Sequence, residues 1–147
     1  MKKILFFALI VLVMSTFSSC EKHDAALDIV GTYEFTEDAT LTILGSTQTT
    51  TTNGIFYVTY VSAGEVALKG DINTKMYVYE NGELYMQDET ITDNSTEIDM
   101  RIDFTYHDER YTSTSISWTS IGDVTAVYNG NVFHGTAKSK VWAKKVN

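Results

Sequence analysis

The sequence predicts an all-β domain, an antiparallel meander of about eight to ten strands, and three observations predict it. Thr, Tyr, Val and Ile crowd into short runs that Gly, Asn and Asp punctuate. The stretch Thr96 to Tyr106 alternates strictly, with Ile98, Met100, Ile102 and Phe104 on one face and Glu97, Asp99, Arg101 and Asp103 on the other. Asn81-Gly82 and Asn129-Gly130 stand between β-rich runs, where a type I′ turn wants positive φ at both central residues. Short strands in sequence, with no helical pattern between them, favour a sheet closed into a barrel; a two-sheet sandwich is the alternative.

The first element is not part of that domain. Lys2 and Lys3 precede an uncharged apolar run from Ile4 to Met14, then the mostly small residues Ser15 to Ser19, then Cys20, the single cysteine. The run is shorter than the ~20 apolar residues that cross a bilayer, so residues 1–19 read as an export signal. Its removal leaves 128 residues, one domain's worth. It takes away two lysines and no carboxylate, so the net charge of −8 becomes −10. Such acidity disfavours nucleic acid and anionic headgroups as partners. No proline interrupts a strand.

Residues 20–29 read as the anchor residue and a short tether, with Asp24 placed to cap one helical turn over Ala25 to Ile29. The single all-β domain is expected over residues 30–147. Strands are predicted at Val30 to Thr36, Thr40 to Leu44, Ile55 to Ser62, Glu65 to Lys69, Lys75 to Glu80, Glu83 to Gln87, Thr96 to Tyr106, Arg110 to Thr119, Val124 to Asn129 and Asn131 to Lys140. Val141 to Val146 would continue the last. Asn53-Gly54 is predicted as a turn, Thr47 to Thr52 as an exposed loop or polar edge, and His107-Asp108-Glu109 as a hairpin turn.

Met14-Ser-Thr-Phe-Ser-Ser-Cys20 resembles the cleavage region of bacterial lipoproteins. The resemblance implies that the signal is cut before Cys20 and that this residue is acylated. Several chains hold firmly where one alone is marginal. Glu21, rather than Asp, follows the cysteine, which in that family points to the outer membrane, facing the periplasm or the exterior.

Asp28-Ile-Val-Gly-Thr-Tyr33 resembles the opening of lipocalin-type barrels, whose pattern is Gly-x-Trp; Tyr33 stands where the family has Trp. The resemblance implies that Gly31 and Tyr33 belong to a barrel-closing motif. A late basic residue, Lys138 or Lys140, would then pack across it. No second family signature and no C-terminal helix follow.

Catalytic chemistry has little to stand on. His23, His107 and His134 are scattered, and no spacing matches a zinc site. Glu97, Asp99 and Asp103 share a face with Arg101, as a solvated, ion-paired strand would. Asp88-Glu89 and Asp93-Asn94-Ser95 lack an EF-hand spacing, and there is no Gly-x-Ser-x-Gly elbow or phosphate loop. The expectation is a non-enzymatic protein without metal or cofactor. It would be anchored in the membrane through lipidated Cys20 and bind a small apolar or amphipathic ligand inside the barrel, against Met100, Phe104, Ile116 and Trp118. The alternative is an envelope module that binds a protein or glycan through exterior tyrosines.

Overall fold

The computed structural model describes residues 23–94 and 98–146, so the export signal expected over residues 1–19, Cys20 and Glu97 lie outside the described residues. A helical turn, α1 (Ala25–Asp28), precedes nine strands. These are β1 (Gly31–Ile43), β2 (Ser46–Ser62), β3 (Glu65–Gly70), β4 (Thr74–Val78), β5 (Leu84–Met86), β6 (Glu89–Asp93), β7 (Ile98–Thr112), β8 (Ser115–Tyr128) and β9 (Asn131–Val146). All pair antiparallel in one sheet, in the order β5-β4-β3-β2-β1-β9-β8-β7-β6, and the sheet curls into a half-barrel. Each strand neighbours the next in sequence except across the seam between β5 and β6, while β9 returns to β1. That is a meander wound on itself, and the single sheet rules out the two-sheet sandwich.

The half-barrel has a filled end and an open one. At the filled end, Tyr33, Phe35, Phe56, Val66, Leu68, Met76, Ile116 and Trp118 are buried together, and α1 lies across the opening with Ala25, Ala26 and Ile29 buried beneath it. Residues 24–29 therefore belong to the folded unit and not to a free tether. Asp24 caps the turn as expected, accepting from Ala26 N at 3.0 Å. It also accepts from Gly64 N at 3.1 Å, which fixes α1 to the turn between β2 and β3. The Gly64 amide, followed by burial-opposed help from Ala26 and the Tyr60 hydroxyl, holds the Asp24 carboxyl below its ordinary value. The open end is formed by the longer strands alone: β3 ends opposite Phe56, while β1 and β2 run on to their turn at Leu44-Gly45.

Several elements differ from expectation, each for a tertiary reason. β1 runs unbroken through Glu37–Ala39 because both neighbours, β2 and β9, continue its ladder there. Asn53-Gly54 lies inside β2, opposite Thr36 and Phe35, and makes no turn. The Thr-rich stretch is a polar edge: Thr47 to Thr52 pair with β1 alone. His107-Asp108-Glu109 is a bulge within β7, where Asp108, at φ 56°, and Glu109 occupy the span that Trp118 fills alone on β8. The chain reverses later, at Ser113-Thr114, so Ile116 and Trp118 open β8, which then continues through Thr119 to Tyr128. β6 was not foreseen. Of the Asn-Gly turns, Asn129-Gly130 has positive φ at both residues, as predicted. At Asn81-Gly82 only Gly82 does, the tight turn being Tyr79 to Gly82 with Gly82 N donating to Tyr79 O at 3.2 Å.

Candidate functional site

Inward-facing residues change character halfway along the half-barrel. Near α1, aromatic rings fill the space: Tyr33 stacks on Phe56 with centroids 5.5 Å apart, and Phe56 meets Trp118 at 6.2 Å. One step toward the open end the inner positions become Glu37 on β1, Ser139 on β9, Ser120 on β8 and Tyr106 on β7. The register lays Tyr106 beside Ser120 and Ser120 beside Ser139. The Ser139 hydroxyl donates to Glu37 Oε1 in a short hydrogen bond.

Two hollows meet there, sharing Glu37 and Phe104 in their walls. The deeper, about 310 Å³, is walled by Phe104, Trp118, Met86, Ile72, Ile91 and Val141, with Glu37, Asp71, Glu89, Tyr106 and Ser120 among them. The second, about 230 Å³, runs toward the open end past Leu41, Ile102 and Ala137. Their combined scale suits a small ligand, since pockets for such molecules begin at about 300 Å³. Other hollows lie beside α1 and near Trp142, but the buried polar residues Ser120 and Ser139 line the interior pair.

The electrostatics of the deeper hollow are one-sided. Its walls hold the carboxylates Glu37, Asp71 and Glu89 and no lysine, arginine or histidine. Tyr106 donates to Glu89 Oε2 at 3.0 Å. Burial first, then that bond and the charges of Glu89, Glu37 and Asp88, push the Tyr106 hydroxyl well above its ordinary range, so it stays protonated as a donor. Asp71 Oδ2 accepts from Ile55 N at 2.9 Å. Among the described residues, no three His, Cys, Asp or Glu side chains are grouped to hold a metal ion.

The expected ligand-binding residues divide. Phe104 and Trp118 both face the deeper hollow, Trp118 also contributing to the packed core. Ile116 is fully buried in the core behind them, away from the hollow walls. Met100 is half-buried farther out, opposite Ala126 and Asp93. Glu37 and Ser120 escaped sequence reading: Glu37 sat in a predicted gap between strands, and Ser120 in a run whose end was set too early. Alternation through Phe35-Thr-Glu37 was the signal that placed Glu37 inward.

Gly31 and Tyr33 sit at the filled end. Tyr33 is fully buried, and its hydroxyl donates to Ile29 O at 3.0 Å. Burial pushes that hydroxyl up to about 12. Gly31 has φ 151°, a backbone conformation that side chains rarely adopt, and a Cβ there would press on the end of the Lys145 side chain, 2.5 Å from its Cε. The lysine at this motif is Lys145, opposite Tyr33 on β9, with its Nζ donating to Asp28 O at 3.2 Å. Lys138 and Lys140 lie along β9 opposite Thr40 and Asp38, exposed.

His107 and His134 are exposed and stand opposite Thr119 and Thr125, well separated along β8. His23 pairs with Asp28 at 2.8 Å, and that bond and charge raise its pKa. Arg101 binds Asp103 with Nε 3.0 Å from each carboxylate oxygen, and Thr90 donates to the same carboxylate at 2.6 Å. This is a solvated, ion-paired face. No family model, no curated protein and no solved structure matches the chain.

Proposed function

We propose that the protein is a lipid-anchored cell-envelope lipoprotein, held in the outer membrane through Cys20, that binds a small amphipathic molecule inside its half-barrel without acting as an enzyme. The observation that carries the binding reading is the hollow of about 310 Å³ between the packed aromatic core and the open end, where Phe104 and Trp118 stand beside Ser120 and Glu37. Apolar walls supply affinity of about 25 cal/mol per Å² of ligand surface buried, and the convergent polar groups set orientation. The anchoring rests on the leader and on Cys20. His23, where the described fold begins, is three residues beyond Cys20, a span of at most ~11 Å that would keep the domain against the membrane. Kinship with lipocalin-type barrels is supported by the meander and by Gly31, Tyr33 and Lys145 meeting at the filled end, with Tyr33 where the family has Trp.

A second reading, an exterior platform for a glycan or protein, is favoured by Tyr77 and Tyr85. They are 40% and 48% exposed on the outside of β4 and β5, with ring centroids 6.0 Å apart. Native mass spectrometry of the protein extracted gently from its own envelope separates the two. A stoichiometric small-molecule adduct that Phe104→Ala removes, and a Tyr77→Ala/Tyr85→Ala double variant keeps, supports interior binding. A bare mass combined with glycan retention that the double variant loses would replace it with the exterior platform.

A further inference from the structure

We infer that the molecule taken into the interior is a cation: a small amphiphile with an ammonium head that lies between Glu37 and Ser120 and an apolar body against Phe104 and Trp118. This rests on the interior-binding reading and gives it a ligand class.

The hydroxyl of Ser120 points to a ligand independently of the charges. Ser120 is 4% exposed, lies on the wall of the deeper hollow and has no hydrogen-bond partner among the described residues. Its neighbour across the ladder, Ser139, is 6% exposed and spends its proton on Glu37. That hydroxyl opens onto the hollow and is not engaged by the protein, so a donor or acceptor entering there would meet it.

Charge decides what kind of donor. Glu37, Asp71 and Glu89 line the deeper hollow without a basic side chain among them, Asp71 and Glu89 at its exposed rim, while Lys138 lines the adjoining hollow that shares Glu37. Glu37 accepts from Ser139, Asp71 from the Ile55 amide and Glu89 from Tyr106, so each carboxylate is oriented by a neutral donor and keeps its negative charge at the hollow. In a partly desolvated space an anionic head would be repelled and an ammonium attracted, by several times what the same pair is worth in water. Among the described residues these carboxylates are not grouped as metal ligands, and the apolar walls beside them suit a cation with an organic body. Trp118 adds an aromatic ring at the same wall, a surface on which cations also rest favourably.

Three probes with one naphthalene body test this on the full-length processed protein in neutral phosphatidylcholine nanodiscs, with empty nanodiscs as blank. They are 1-naphthylmethylamine, 1-naphthalenemethanol and 1-naphthaleneacetate, the last an anionic carboxylate, each titrated by calorimetry. The expected result is that the amine binds about tenfold or more tighter than the acetate, with the alcohol between. Glu37→Gln should remove that preference, and Ser120→Ala should weaken the amine and the alcohol together. Equal binding of all probes, or tighter binding of the acetate, overturns the cation and leaves the interior site standing. Binding of none overturns the interior site itself. Should Glu37→Gln fail to fold, the ranking in the natural protein and Ser120→Ala still decide.

Discussion

Glu83 and Arg110 join the two flanks of the sheet across its seam, paired as an isolated antiparallel bridge with Arg110 Nη1 3.0 Å from Glu83 Oε1. Beside them Tyr111 N donates to Gly82 O at 3.0 Å, and the Tyr111 hydroxyl donates to Tyr79 O at 2.6 Å. The β7 bulge makes this meeting possible, because the extra residue turns Tyr111, like Tyr106 before it, toward the inside.

The seam should loosen in acid. The Asn81 amide first, and then Arg110, hold the Glu83 carboxyl below its ordinary 4.5. A depressed carboxylate stabilises above its unfolded value, and that contribution is lost as pH falls through the depressed one. Amide exchange at Tyr111, corrected for the intrinsic rate, should therefore be steady between about pH 6 and 8 and quicken below about 4.5. Glu83→Gln should abolish the acid response; an unchanged response would assign it to another group.

Alkali acts on the core of the same, filled end. The Tyr33 hydroxyl, raised from 10 to about 12, favours the folded state while protonated, so its contribution is full below 10 and drains away as pH rises toward 12. Tyr33→Phe should flatten the loss of stability across that window. At neutral pH the same substitution orphans the Ile29 carbonyl beneath α1, and urea unfolding should report a loss of about 1–3 kcal/mol.

The turn between β1 and β2 carries a removable strain. Leu44 has φ 53°, is 74% exposed and is followed by Gly45 at φ 76°. A leucine there incurs the left-handed penalty without burying its side chain. Leu44→Asn should raise stability by about 1 kcal/mol, seen as a higher urea midpoint at constant slope. No gain would mean that Leu44 makes contacts in solution that offset the strain.

Gly122 gives Phe104 its place. A Cβ on Gly122 would lie 2.7 Å from Ile102 Cγ2 and 2.8 Å from Phe104 Cδ1, so the ring rests on bare backbone across the β7–β8 ladder. Gly122→Val should destabilise by about 1–3 kcal/mol through overpacking. The loss should shrink in a Phe104→Ala background. Equal losses in both backgrounds would separate the glycine from the ring.

Much of the fold was legible locally. Alternation in Ile98 to Phe104, the density of β-branched residues and the Asn129-Gly130 turn depend only on neighbours in sequence, and they fixed the all-β class, the meander and several strands. The reading of residues 1–19 as an export signal and of Cys20 as the anchor likewise rests on sequence alone. Strand limits were not legible, because pairing partners decide them: Glu37–Ala39 and Asn53-Gly54 are extended only because β2, β1 and β9 continue past them.

The site was decided by tertiary structure. Alternation says that Ile116 and Trp118 share a face, but not that Ile116 ends in a closed core while Trp118 borders a hollow. That difference depends on where β3 and β5 stop along the axis of the half-barrel. The sequence by itself determined a β meander with one wet and one dry face; the curl of the sheet placed Glu37, Ser120, Phe104 and Trp118 around one space. Side-chain alternation is a property of each strand, whereas convergence depends on register and twist summed over the whole sheet.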